Sequence, residues 1–340
     1  MAFLKRYHQL LRMKSRNISI DIIRTISCLY IIGIWHLVEY TSFAWKDGAF
    51  AYIGALFTTV AMGAFSFVSG ICMQKYHFSK FQDCIYFLKK RIIRFYPLFF
   101  ISAFSLLCAG FILSSHWFID NSQFILTITG LSLLFPPTAP TLWFISMCML
   151  FYYLTPFILW KRSENKPIMT FLRVFILILI IYICHYLSKG YFIDFKLLIY
   201  LPLYALGLLF PYNKYNFNKN SITLLICLFI ALLICIYLKY TSLSSPLFCI
   251  LLGLFGTLLL TLLSKGISHN GIISRFPIQA ISYASMAAYL FHRQIYEVIY
   301  VITGEFNIIS AIIAVSVVFI LAYYIQYIYD KFITRFRPSI

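Results

Sequence analysis

The chain has 340 residues, 62% of them hydrophobic and only 11% charged, with a mean hydropathy of +0.87. A soluble globular domain of this size does not carry so few charges. A formal net charge of +18 would suit nucleic acid, but the basic residues are parcelled out between apolar runs rather than gathered into a patch, so no nucleic-acid partner is expected.

The apolar runs are each close to the roughly 20 residues that a membrane helix needs, and they lack the alternation of barrel strands. Ten spans are predicted, near 20–38, 50–73, 95–114, 141–160, 171–187, 195–211, 222–240, 246–264, 278–303 and 307–329. The fold class is therefore all-α, a polytopic membrane helix bundle. The sixth span contains Pro202, and the stretch 123–135 reads as a short re-entrant or interfacial helix. When the connecting segments are taken alternately, one set holds 22 of the 28 basic residues, whereas the other holds only Lys46, Lys189, Lys196 and Lys239. The positive-inside rule then places both termini in the cytoplasm and makes the span count even. The expected setting is the plasma membrane, with membrane lipids around a single domain over residues 1–340 that begins with a basic segment, 1–18. The first span is too long for a signal-peptide core and no small-x-small cleavage site follows it. No soluble domain and no inverted repeat of the transporter kind is visible. Nine scattered cysteines without a C-x-x-C read as small packing residues, so neither a disulfide framework nor a metal site is expected.

In chain order, the first candidates are Asp21 and Arg24, at i,i+3 near the start of span one, and His36, deep within it. Ionisable groups are expensive in lipid and are candidates for function by default. From Ile20, His36 lies ~24 Å along a helix, in the outer half of a hydrocarbon layer about 30 Å thick. Asp21 and Arg24 form either a local ion pair or the floor of a cavity below His36. Span two carries Ser69 and Gly70, which read as helix packing or as cavity polarity. Arg91 and Arg94 open span three in Lys89-Lys-Arg-Ile-Ile-Arg-Phe-Tyr-Pro97. They are either membrane anchors or a phosphate clamp, since i,i+3 spacing puts both guanidinium groups on one helix face. Trp143 sits where an interfacial tryptophan belongs. His292, ~21 Å into span nine, shares a layer with His36, and Glu297 is the expected partner of Arg293 at i+4. A neutral imidazole there can take the proton of a hydroxyl that attacks a thioester. Walker A, G-x-S-x-G and H-E-x-x-H are all absent from the sequence, and with them the chemistries they carry.

Several of these residues fall into a familiar order. Asp21-x-x-Arg24…His36, Phe67-Val-Ser-Gly70, Phe87-Leu-Lys-Lys-Arg-Ile-Ile-Arg-Phe-Tyr-Pro97, Leu142-Trp-Phe-Ile-Ser…Tyr152-Tyr-Leu-Thr-Pro156 and Ser282-Tyr-Ala-Ser-Met-Ala-Ala-Tyr-Leu-Phe-His292 together resemble the acyltransferase-3 family of membrane acyltransferases. Many of that family O-acetylate bacterial surface polysaccharides. The resemblance implies an O-acyltransferase that moves an acyl group from acyl-CoA, an acetyl group from acetyl-CoA in the first instance, to a hydroxyl of a cell-surface glycan or its lipid-linked precursor, with His36 either activating that hydroxyl or carrying the acyl group transiently. It implies His36, Asp21 and Arg24 as catalytic, Arg91 and Arg94 as the acyl-CoA clamp, and Ser69, Trp143, Tyr289 and His292 as cavity candidates. There is one departure. The family commonly has ten residues between its first Arg and His, and here there are eleven. A separation of 12 positions leaves the two side chains ~120° apart on an α-helix, whereas 11 leaves ~20°. Either a π-turn, for which Gly33 is a candidate, restores the alignment, or Arg24 faces away from the histidine. The rival reading is a transporter or flippase of surface glycan intermediates, which would lose export while leaving acetyl content unchanged.

Overall fold

The computed structural model describes residues 17–41, 48–113, 121–139, 141–162, 167–210, 219–238, 242–243, 245–270 and 275–335. Most of the basic segment expected over 1–18, and parts of several loops, lie outside them. The described residues are all-helical apart from turns and two isolated bridges. The helices are α1 (Ile18–Tyr30, continued by a π-turn over Ile31–Trp35), α2 (Gly48–Met73), α3 (Phe81–Leu113), α4 (Asn121–Ile128) and α5 (Trp143–Leu159). They are followed by α6 (Pro167–Leu187), α7 (Phe195–Leu209), α8 (Lys219–Tyr237), α9 (Pro246–Asn270), α10 (Arg275–Thr303) and α11 (Ile308–Arg335). Six helical stretches are long and apolar enough to cross a membrane, and α5, α7 and most of α8 are shorter apolar helices. The chain is a membrane helix bundle. The short helix expected within 123–135 appears as α4, eight residues long.

In the bundle α1 packs against α2, α9 and α10; α2 lies along α7, and α10 along α11. Asn17 starts α1 by accepting a hydrogen bond from the Ser19 amide, the usual satisfaction of an orphan N-terminal donor. The α2–α7 contact is a glycine crossing. A Cβ on Gly207 would come within 2.0 Å of the Phe67 carbonyl oxygen, and one on Gly70 within 2.2 Å of that of Tyr204. Only glycine permits this backbone approach, so Gly70 of span two is a packing element.

In lipid a backbone carbonyl without a donor is costly, and this chain repeatedly supplies a tyrosine hydroxyl where one arises. Pro97 sits inside α3 and has no N–H for the carbonyl of Ile93; the Tyr329 hydroxyl of α11 donates to it at 3.0 Å. Pro202 does the same to Leu198 within α7, and the Tyr182 hydroxyl of α6 answers at 3.3 Å. These bonds tie each interrupted helix to a particular neighbour. The first of them fixes the turn of α3 that carries Arg91 and Arg94 against α11.

Candidate functional site

His36 closes the π-turn of α1. Its amide donates to the carbonyl of Ile31, five residues back, at 2.9 Å. The wider turn absorbs one residue, so Arg24 and His36, 12 positions apart, return to within about 20° of the same face. Gly33 lies in the middle of that turn. Beyond it the chain tightens into a short 3-10 turn, Val38–Tyr40, and is held where the Phe306 amide donates to the Tyr40 carbonyl at 2.8 Å.

On α10, His292 is fully buried and faces this turn. Its Nε2 lies 2.7 Å from Nδ1 of His36, with the two rings parallel and their centroids 4.8 Å apart. Nδ1 of His292 lies 2.9 Å from the Tyr289 carbonyl oxygen and 3.2 Å from that of Ala288. A carbonyl only accepts, so Nδ1 of His292 carries the hydrogen. With both rings neutral, Nε2 of His292 is then a lone pair and Nδ1 of His36 the donor to it. The remaining lone pair of the couple sits on Nε2 of His36. Two backbone carbonyls thereby fix the tautomer of a histidine on another helix, which is the orienting arrangement that a base needs.

Residues missed in the sequence surround the couple. Arg293, only 2% exposed, donates to the carboxylate of Glu39, three residues beyond His36. The ion pair expected within α10 is thus found between helices. Glu297 instead accepts from the Tyr40 hydroxyl at 3.0 Å. Helix spacing announces neighbours on one helix; the partner three residues past His36 is announced only by the packing of α1 on α10. Arg293 also reaches the hydroxyl of Thr141 at 3.3 Å, and the Tyr289 hydroxyl donates to the carbonyl of Thr141 at 2.7 Å. Thr141 has φ +63°, a strained conformation for a β-branched residue, so α10 holds the entry to α5 in a costly shape beside the histidines. Tyr296, one turn beyond His292, donates to the carbonyl of Ile32 at 3.0 Å.

Toward the other end of α1, Asp21 is buried and accepts a hydrogen bond from Ser282 of α10 at 2.6 Å. Arg24 is half-buried and has no ion pair or hydrogen bond among the described residues. Its charge acts on Cys28, Cys148 and Tyr152. Arg91 and Arg94 converge on the same Tyr152, but they are not equivalent. Arg91 is half-buried among the rings of Tyr76, Phe87 and Tyr152, donates to the Tyr76 hydroxyl at 2.7 Å, and leaves a buried Nε without a partner. Arg94 is exposed. A small recess is lined by Arg91, Phe95, Met149 and Tyr152; His36 does not line it. Cys28, between Arg24 and His36 on α1, and Cys148 of α5 both feel the charge of Arg24 and both act electrostatically on Tyr289.

Two candidates stand apart. The Ser69 hydroxyl bonds back to the Phe65 carbonyl of its own helix at 2.9 Å. Trp143 stacks on Tyr200 at 5.8 Å, beneath the amine of Lys196, and a chain of ring contacts through Phe144 and Tyr289 leads from it to His292.

A family model described as an acyltransferase domain matches residues 17–327, from the N-cap of α1 into α11. No curated protein and no solved structure matches the chain.

Proposed function

The chain belongs to the acyltransferase-3 family, and on that premise we propose that it is an integral-membrane O-acyltransferase carrying an acetyl group from acetyl-CoA to a hydroxyl of a cell-surface glycan or its lipid-linked precursor. The reading takes the chain as a ten-span bundle of the plasma membrane with both termini cytoplasmic, so that the arginine end meets the cytoplasm. The observation that carries it is the lone pair left on Nε2 of His36 by the bond to His292.

The donor supplies an activated thioester. His36 Nε2 takes the proton of the acceptor hydroxyl as its oxygen bonds to the acyl carbon. The carbon–sulfur bond breaks, and the proton returns from His36 to the leaving thiolate. While His36 holds that extra proton, its Nδ1–H remains bonded to His292 Nε2, so the ring keeps its orientation throughout. The exposed Arg94, Arg24, which has no ion pair among the described residues, and the orphaned Nε of Arg91 suit the phosphates of coenzyme A, because guanidinium groups bind phosphate with two parallel bonds.

Arg94→Ala tests the donor assignment. A hydrogen bond to a charged group is worth about 1.5–3 kcal/mol, so KM for acetyl-CoA is expected to rise about 10- to 100-fold with kcat little changed. An unaltered KM would contradict the clamp.

A further inference from the structure

We propose that Tyr296 is a positioning residue whose hydroxyl, by taking the carbonyl of Ile32, holds the extra residue of α1 in its π-turn and so keeps His36 turned onto His292. The proposal rests on the reading of His36 as the base only for its effect on catalysis, not for its effect on structure.

At Pro97 and Pro202 the carbonyls of Ile93 and Leu198 are freed by covalent necessity, and a tyrosine from a neighbouring helix completes each one. At the π-turn nothing covalent enforces the interruption. The segment Ile31-Ile-Gly-Ile-Trp35 contains no proline, and a run of this kind continues as an ordinary α-helix unless something outside it favours the alternative. A regular helix through the segment would turn His36 by about 100° relative to Arg24, away from α10. The carbonyl of Ile32 is where the two forms diverge. In the observed form its partner is the Tyr296 hydroxyl at 3.0 Å. The phenol has no freedom to leave, since Tyr296 is fully buried and its ring packs edge-on against His292 at 5.9 Å, Tyr40 at 5.4 Å and Phe306 at 6.2 Å. The residue that stabilises the turn therefore stands on the same helix face as the histidine that receives His36, one turn away.

The test compares the unaltered chain, Tyr296→Phe, a chain from which Gly33 is deleted, and the two changes together. Deleting Gly33 leaves the His36 amide four residues from Ile31, so an α-helix then presents His36 where the π-turn presents it now and the phenol is no longer needed. Register is read without catalysis by introducing His36→Cys and His292→Cys in a Cys28→Ser background. The two thiols are joined with a short bifunctional thiol reagent, and the joined peptides are counted by mass spectrometry. Linking is expected to fall in Tyr296→Phe and to return when Gly33 is also removed. In chains that keep both histidines, acetyl transfer from acetyl-CoA is expected to follow the same course, with kcat down by about 10²-fold in Tyr296→Phe, KM for acetyl-CoA unchanged, and recovery in the combined variant. Undiminished linking in Tyr296→Phe, loss of linking on deleting Gly33 alone, or failure of the deletion to restore Tyr296→Phe would overturn the proposal. Linking that behaves as expected while acetyl transfer ignores it would keep the register argument and remove His36 from the chemistry.

Discussion

His36→Ala is expected to lower acetyl transfer by about 10²- to 10⁴-fold, the range that a positioned general base contributes, with KM for acetyl-CoA close to that of the unaltered chain. The proposed donor contacts lie near Arg24, 12 positions back along α1, or ~18 Å on a helix, so removing the imidazole would leave them in place. Labelled acetyl-CoA given to membrane vesicles at matched protein levels, with label counted in the glycan fraction, measures this directly. Full activity in His36→Ala would end the account. His292→Ala is a weaker probe, because it removes the orienting partner but not the lone pair on His36.

Glu39→Ala is expected to cost about 3 kcal/mol of stability, the low end of what is lost when one member of a buried ion pair is removed. The low end applies because Glu39 is 31% exposed while Arg293 is 2% exposed; the carboxylate is near water, and the guanidinium is not. What remains is a buried cation that still meets Thr141 and the Tyr40 ring and has lost the carboxylate it pairs with. Replacing both partners by apolar residues is often neutral, so Glu39→Leu with Arg293→Met should recover most of the loss. Thermal unfolding in detergent reads both variants. An unchanged melting temperature in Glu39→Ala would mean that the pair does not hold α1 to α10.

The sequence made the helices and the layer of the two histidines legible because both are matters of local count. Apolar run lengths mark the helices, and residues per turn place His36 and His292 at similar depth. The same arithmetic left two outcomes, a π-turn near Gly33 or an Arg24 that faces away from the histidine, and the structure has the turn. What stayed hidden depends on which helix lies next to which. Spacing put Arg91 and Arg94 on one face and made them look alike; only the approach of Tyr76 and Tyr152 separates a boxed guanidinium from an exposed one. Glu297 looked like the partner of Arg293 because it is four residues away, whereas Glu39 is 254 residues away in sequence. Tyr296 carried a faint signal, being on the face of Tyr289 and His292, but nothing local says that its hydroxyl meets a carbonyl freed on α1. Ser69 read as helix packing or as cavity polarity, and its hydroxyl bonds to its own helix.

The most direct check is mass spectrometry of the surface polysaccharide from otherwise identical cells with and without this chain. The account predicts that acetyl esters disappear from the polymer when the chain is absent while the amount of exported polymer stays the same. Unchanged acetylation accompanied by lost export would contradict it and identify a transporter instead.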